Sequence, residues 1–447
     1  MSTGVHNLDQ LYSDSSLYSS KDMFSPPSER RSHVLRFELT TGCDWGRCTY
    51  CHGYEGVPYR EKPLDEYKCH VDDVWKRIGH DTSLAKSLRR VFIGNGNALS
   101  VPTAKLIEAI RYTAMTQCYY TGSYPKRTAI YGSTRSINNK EGQALSDMRW
   151  AVPNEFLIFW GVESGSTDVL RYVRKGCTKD DILKAAHNLD FGKVKTSVMI
   201  MPGLGGVKYY DQHVSDTAEV LGVIKPVFLT FMGINPTPCS DYAKMMAVEQ
   251  AEGTNRPLNK RELAHQTFEI LKAMSFWPGR VGSFDTNVDC VSDNALVFNY
   301  PFDDPWRKQS AIRSLSDIKR RFGVGGVVVK DGKMYIGRLG SGDQYYLPLG
   351  LPELHEDDET AARRAIAAEI NVKDIEQLGK LGTISWGGEY PRTWETFLFR
   401  TRENPKGNSL YTPKWVTYEE ALMKLTRPED KNLIVANEAR IRDAMQS

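Results

Sequence analysis

The sequence predicts an α/β protein: a full or partial (βα) barrel followed by a smaller α+β domain. Three observations carry this. Short apolar runs alternate with helical stretches from residue 34 to about residue 232. Three clustered cysteines, Cys43, Cys48 and Cys51, directly follow the first of those runs. Beyond a Pro- and Asp-containing stretch near residue 300, the pattern changes to a glycine-punctuated hairpin.

Taken in order, residues 1–33 are rich in Ser, Asp and Pro and lack apolar periodicity, which predicts a flexible or loosely docked N-terminal arm. The first domain is expected over 34–298. Val34–Leu39 reads as a strand leading into the cysteines, and Leu64–Ile78 as a helix. Strands follow at 90–94, 128–132, 156–161, 195–201 and 227–232, with helices at 103–116, 179–191 and 213–224. Apolar strands separated by helices imply βαβ units and a parallel sheet. In barrels of this kind the chemistry sits at the C-terminal strand ends, where the cysteine loop falls. Residues 299–318 read as a linker, and 319–447 as the second domain, with a hairpin turn at Asp331-Gly332 and a helix near 359–370.

Bulk properties narrow the function classes. A net charge of +3 gives no general electrostatic case for nucleic acid or anionic membrane. Only three of the eight cysteines cluster, which speaks against a secreted disulfide scaffold and for a reducing cytoplasm. No apolar run reaches the length of a membrane span, and the opening residues lack the apolar core of a signal peptide. A cytoplasmic location is therefore expected.

The cysteine spacing is C-x4-C-x2-C. Three thiolates on one short loop suit a [4Fe–4S] cluster that keeps one iron open for chemistry. Structural zinc is the competing reading. It requires four tetrahedral ligands, with His52, Cys69 and His70 as candidate fourth partners. Buried, unreactive cysteines fit less well, because Gly42, Gly46 and polar residues flank the three.

Downstream motifs join the loop. They are Asn95-Gly96-Asn97-Ala98-Leu99, then Gly161-Val162-Glu163-Ser164-Gly165-Ser166 with Lys175-Gly176, then Val198-Met199-Ile200-Met201-Pro202-Gly203. With the aromatic Tyr50 before the last cysteine, this set resembles the radical S-adenosylmethionine (SAM) superfamily over residues 34 to about 280. The usual loop there is C-x3-C-x2-C. The longer gap here looks like that of a B12-independent subgroup, and no preceding domain looks like a cobalamin-binding fold. The resemblance implies a [4Fe–4S] cluster on Cys43, Cys48 and Cys51, with SAM as co-substrate. It implies SAM contacts at Asn95, Gly96, Asn97, Glu163, Ser164, Met199 and Pro202. It also implies a flavodoxin- or ferredoxin-like electron donor, and reductive cleavage of SAM to methionine and a hydrogen-abstracting 5′-deoxyadenosyl radical. Asn97 stands where the superfamily motif carries an acid. Arg135, after the third strand, is a candidate for an anionic substrate or for the SAM carboxylate. Cys69, Cys118, Cys177, Cys239 and Cys290 are dispersed, so no auxiliary cluster is expected, and each is a candidate radical-quenching thiol. No residue is singled out as the one that acts on substrate.

In the second domain, Gly350, Glu353, Glu356, Arg364, Ile366, Glu369 and Val372 stand at spacings that resemble the Nudix box. Ala365 and Ala368 replace its metal-binding glutamates, Asn371 its helix-ending glycine, and Leu349 another glycine. Holding Mg²⁺ against a diphosphate takes two or three carboxylates on one helix face. A Nudix-like fold without hydrolase activity is expected, aiding recognition of a nucleotide-linked or nucleic-acid substrate. Two other functions stay open at this point: a Nudix-type pyrophosphatase with a regulatory Fe–S domain, and a non-catalytic metal-stabilised binding scaffold.

Overall fold

The computed structural model describes residues 8–19, 25–29, 33–51, 53–54, 56–80, 82–284, 296–319, 322–339, 343–353, 356–387, 392–404 and 411–446. Two compact units divide the chain: Met1–Pro257 with Gln266–Ile312, and Leu258–His265 with Arg313–Ser447.

The first unit is built on nine strands: β1 (Val34–Gly42), β2 (Arg60–Glu61), β3 (Arg90–Gly96), β4 (Arg127–Gly132), β5 (Glu155–Glu163), β6 (Lys195–Ile200), β7 (Phe228–Met232), β8 (Arg280–Phe284) and β9 (Leu296–Pro301). Their order is β2-β1-β3-β4-β5-β6-β7-β8-β9. From β1 to β8 along that order the neighbours are parallel, while β2 and β9 run antiparallel at the two ends. All six expected strands are present. No pairing joins the two ends of the order among the described residues, so the full barrel of the sequence reading is not formed there.

The parallel strands are apolar nearly end to end because helices cover them. In β5 Phe156–Trp160 are all buried, and in β1 Phe37 and Leu39 are fully so. The helix Leu64–Ile78 buries Tyr67, His70, Val71, Val74, Trp75 and Ile78, a stripe spaced at three and four residues. Fully burying side chains of this size contributes about 1.5–3 kcal/mol each. Ser133 and Thr178 close capping boxes that start the helices after β4 and before β6.

One segment of the sequence reading is corrected. Residues 299–318 are not a linker: they hold the end of β9 and most of the helix Pro305–Lys319. Of the two readings of the N-terminal arm, its described part follows the docked one. Leu8, Leu11, Tyr12, Leu17 and Tyr18 are buried. The Tyr12 hydroxyl donates to the Val34 carbonyl at 3.2 Å, and the Tyr18 hydroxyl to the Arg36 carbonyl at 2.7 Å. Five apolar side chains outweigh the polar composition around them and dock the segment along β1.

The second unit holds a seven-stranded sheet: β10 (Phe322–Lys330), β11 (Lys333–Leu339), β12 (Tyr345–Tyr346), β13 (Leu349–Gly350), β14 (Glu376–Trp386), β15 (Arg392–Arg400) and β16 (Tyr411–Val416). β10 and β11 form the expected hairpin, with Asp331 (φ +45°) and Gly332 (φ +73°) both left-handed in the turn. The helix Asp358–Ile370 packs Ala362, Ile366 and Ile370 with Val324, Val328, Phe397 and Phe399. A second core joins Val327, Ile336, Trp394 and Leu398 to the C-terminal helices through Tyr418, Ile434 and Ile441.

Candidate active site at the cysteine loop

The loop begins where β1 stops. Gly42 ends the strand at φ +69°, and a Cβ on it would fall 2.6 Å from the Pro58 carbonyl oxygen, so only glycine fits. Cys43 and Cys48 are half-buried and Cys51 is exposed. The residues after β5 form the bed of the loop. The Thr49 N–H donates to the Val173 carbonyl at 3.1 Å, and the Trp45 indole N–H to the Arg174 carbonyl at 2.7 Å. Lys175 Nζ donates to the Tyr50 hydroxyl at 3.0 Å and to Glu163 Oε1 at 3.1 Å. Above the loop, the Tyr242 N–H donates to the Thr49 carbonyl at 3.0 Å.

One electrostatic environment therefore embraces thiols, lysine and carboxylate. Burial pushes the Cys48 thiol up to about 11, with Lys175 opposing and with Cys51, Glu163 and Cys43 adding to the rise. Burial likewise raises Cys51. Burial works against the charge on Lys175, yet Glu163, Tyr50 and Cys48 outweigh it and hold the ammonium well above the ordinary lysine value. The Glu163–Lys175 pair has side chains only 5% and 14% exposed. Breaking such a pair from one side costs about 3–5 kcal/mol, because a buried charge is left alone. Glu163 Oε2 is buried and has no hydrogen-bond partner among the described residues.

The other expected site residues surround this centre. Asn95, at φ +74°, donates from Nδ2 to Glu38 Oε2 at 2.9 Å. Gly96 lies so close to the loop that a Cβ would fall 2.3 Å from the Gly42 carbonyl oxygen. Asn97 donates from Nδ2 to Asp44 Oδ1 at 2.8 Å and to Ser133 Oγ at 3.1 Å, and accepts from Ser136 Oγ at 3.2 Å. An amide suits that position: a carboxylate there would face the carboxylate of Asp44. The 95–97 segment thus reaches the cysteine loop through Gly96 and Asn97.

Ser164 is fully buried, and its hydroxyl is spent inside the fold. It accepts from the Ser166 N–H at 3.1 Å and pairs with His213 Nδ1 at 2.8 Å. Burial holds His213 down at about 3, so its imidazole is neutral. Gly165 lets the helix Tyr210–Ile224 approach: its N–H donates to Thr217 Oγ1 at 2.9 Å, and a Cβ would fall 2.2 Å from the Asp216 carbonyl oxygen. Met199 pairs with Gly161 across β5 and β6. The Met201 N–H donates to the Glu163 carbonyl at 2.9 Å, and the Pro202 carbonyl accepts from the Ile234 N–H at 2.8 Å. Gly203 and Gly205 donate to Gln266 Oε1 and the Tyr242 hydroxyl at 2.7 and 3.1 Å. The Arg135 guanidinium lies 4.4 Å from the centroid of Trp45, with Arg47 at 5.1 Å from the same ring.

Of the candidate fourth zinc ligands, His70 is engaged elsewhere in the fold. His70 is buried, accepts the Glu38 N–H at 3.0 Å through Nε2, and packs edge-on against Tyr18 and Phe37. Burial and then Lys62 hold it down at about 4. Cys69 is exposed, and His52 lies outside the described residues. Among the described residues no group of three His, Cys, Asp or Glu side chains converges on a single metal position. Of the remaining cysteines, Cys118 and Cys177 are half-buried, Cys239 is exposed, and Cys290 lies outside the described residues.

Sequence reasoning did not assign the residues that hold the loop in place: Trp45, Thr49, Tyr50, Lys175 and Tyr242. Trp45, Thr49 and Tyr50 lie within the cysteine run and Lys175-Gly176 within a motif, yet their contacts span up to 129 residues, as for Trp45 with Arg174.

In the second unit the acidic residues of the expected box are engaged. Arg364 grips Glu356 in two hydrogen bonds, 2.8 Å from Nε and 2.7 Å from Nη2. Glu369 accepts the Leu349 N–H at 2.9 Å, and burial pushes it up to about 7. Gly350 and Ala365 touch so closely that a Cβ on Gly350 would fall 2.1 Å from that of Ala365. Asn371 caps the helix at φ +55°, the left-handed conformation a glycine would take. Leu354 and His355 lie outside the described residues.

No protein-family model matches the chain, and no curated protein matches it. Solved structures resemble parts of it. A Nudix hydrolase from Nitrosomonas europaea aligns at 18% identity, covering 27% of this chain and 90% of that one, with a TM-score of 0.25. An Ap4A hydrolase from C. elegans aligns at 16% identity over 27% of this chain and 96% of its own, with a TM-score of 0.24. The radical S-adenosylmethionine methyltransferase TsrM from Kitasatospora setae, solved with cobalamin and a [4Fe-4S] cluster, aligns at 15% identity over 51% of this chain, with a TM-score of 0.36. The alignment spans 39% of TsrM.

Proposed function

We propose that the chain is a radical SAM enzyme whose second, Nudix-like unit recognises a nucleotide-linked or nucleic-acid substrate without hydrolysing it. The observation that carries the reading is the joining of the C-x4-C-x2-C loop to Glu163 through Lys175, at the C-terminal end of parallel strands. Cys43, Cys48 and Cys51 would hold three irons of a four-iron cluster, and the group supplies one-electron reduction of SAM when bound. The chain's own residues do the rest. Gly42 and Gly96 let β1 and β3 meet beneath the loop. Glu163 offers a buried acceptor to a hydrogen-bond donor on SAM. Ser164, fixed by His213, sets the turn that follows Glu163.

For the second unit, alanine at 365 and 368 favours binding over hydrolysis. The free thiols of the described cysteines suit a reducing cytoplasm. Among the described residues no helix is long and apolar enough to cross a membrane.

Anaerobic reconstitution with iron and sulfide tests the proposal. About four irons and four sulfides per chain, with an electron paramagnetic resonance signal that changes on adding SAM, are expected. Zinc taken up in place of iron, or a cluster indifferent to SAM, would contradict it.

A further inference from the structure

We propose that Lys175 is the positioning residue of this site: one buried ammonium fixes the cysteine loop and the Glu163 carboxylate together, and leaves one carboxylate oxygen open for a ligand. The inference rests on the radical SAM reading above and assigns a role that the cysteine ligands do not supply.

Lys175 bridges two segments far apart in sequence. Its Nζ donates to the Tyr50 hydroxyl 125 positions away and to Glu163 Oε1 12 positions away. Tyr50 sits inside the turn that the Cys51 N–H closes on the Cys48 carbonyl at 3.2 Å. Anchoring Tyr50 therefore anchors the turn carrying two of the three thiols. Glu163 is held as tightly. Its backbone stands at φ +66°, a conformation few residues other than glycine adopt, and its carbonyl is secured by the Met201 N–H.

Gly161 completes the cradle. A Cβ there would fall 2.4 Å from Glu163 Oε1 and 3.4 Å from Lys175 Nζ, so bare backbone is what admits the ion pair. With Oε1 taken by the ammonium, Oε2 remains a buried acceptor without a donor among the described residues. An ionised carboxylate is acceptor-only, so the ligand group it suits carries N–H or O–H hydrogens. A lysine suits this place better than an arginine. Its ammonium is compact and its three donors rotate, whereas a guanidinium is planar and fixed.

The test uses the reconstituted full chain, with SAM titrated in the absence of reductant. In Lys175→Met the SAM dissociation constant is expected to rise about tenfold, the scale of one charge-assisted hydrogen bond. Tyr50→Phe should show a smaller rise at unchanged iron content and melting temperature, and Lys175→Arg only partial recovery relative to Lys175→Met. Loss of the buried pair lowers the melting temperature of Lys175→Met on either reading; a purely structural lysine would leave the affinity of the loaded fraction unchanged. Variants that keep their iron and bind SAM within twofold of wild type overturn the inference. Where Lys175→Met does not fold, Tyr50→Phe decides by the same criterion. Tight wild-type binding beside unchanged variants overturns this inference alone. A wild type that takes up iron but binds no SAM overturns the family reading, and the inference with it.

Discussion

Gly176 lies against the indole of Trp45: a Cβ added to it would fall 2.4 Å from Cζ2 of that ring. The glycine also stands at φ +77°, which side-chain-bearing residues rarely adopt. The contact joins the cysteine loop to the turn after β5, together with the Trp45 hydrogen bond to Arg174. Gly176→Ala should therefore cost about 1–3 kcal/mol, from backbone strain and displacement of the indole. Gly122→Ala is the control. Gly122 shares the positive φ, at +74°, but has open space around its missing Cβ. Thermal unfolding should show the larger loss in Gly176→Ala, and only that variant should lose iron on reconstitution. Equal losses would mean that the indole contact contributes nothing.

Much of this arrangement was legible in the sequence, and the reasons it was partial are physical. The strands that became β1 and β3–β7 were readable because buried parallel strands are apolar on both faces. β8 and β9 were not: Gly282, Ser283 and Asn299 interrupt their apolar runs, and the Pro and Asp residues after Tyr300 imitate a linker. The N-terminal arm was left between flexible and docked, since Leu8, Leu11, Tyr12, Leu17 and Tyr18 are scattered among polar residues. Motif reading found Glu163 and Ser164 but treated them alike. The fold separates them: Ser164 turns its hydroxyl to Ser166 and His213, while Glu163 keeps one oxygen free of any partner among the described residues.

Asn97 offers a test of how the loop is supported. Its amide donates to Asp44 at 2.8 Å. Asn97→Asp conserves shape but sets two carboxylates against each other, so a loss of about 1–3 kcal/mol is expected at neutral pH. Asp44→Asn in the same chain should restore most of it, because an amide again faces a carboxylate. A double-mutant cycle by urea unfolding measures the coupling, and strictly additive losses would rule out the pairing.

Glu369 makes the second unit sensitive to pH. Burial raises it from 4.5 to about 7, so the folded state holds its proton more tightly than the unfolded chain does. The contribution to stability is then most favourable below pH 4.5 and is lost as pH rises through about 7. The loss amounts to roughly 3 kcal/mol at most. Urea unfolding of the full chain between pH 4.5 and 8 should show this slope in wild type and a flatter profile in Glu369→Gln. The glutamine can still accept the Leu349 N–H. An identical profile in both proteins would remove Glu369 as the cause.

The central claim is that Cys43, Cys48 and Cys51 hold a cluster that cleaves SAM. The most direct measurement is 5′-deoxyadenosine formed from SAM by the reconstituted, reduced full chain, compared with Cys48→Ala. Wild type is expected to release 5′-deoxyadenosine and methionine in equal amounts, and Cys48→Ala to release neither while keeping its fold. A Cys48→Ala protein that still forms 5′-deoxyadenosine, or a cluster-loaded wild type that forms none, would contradict the account.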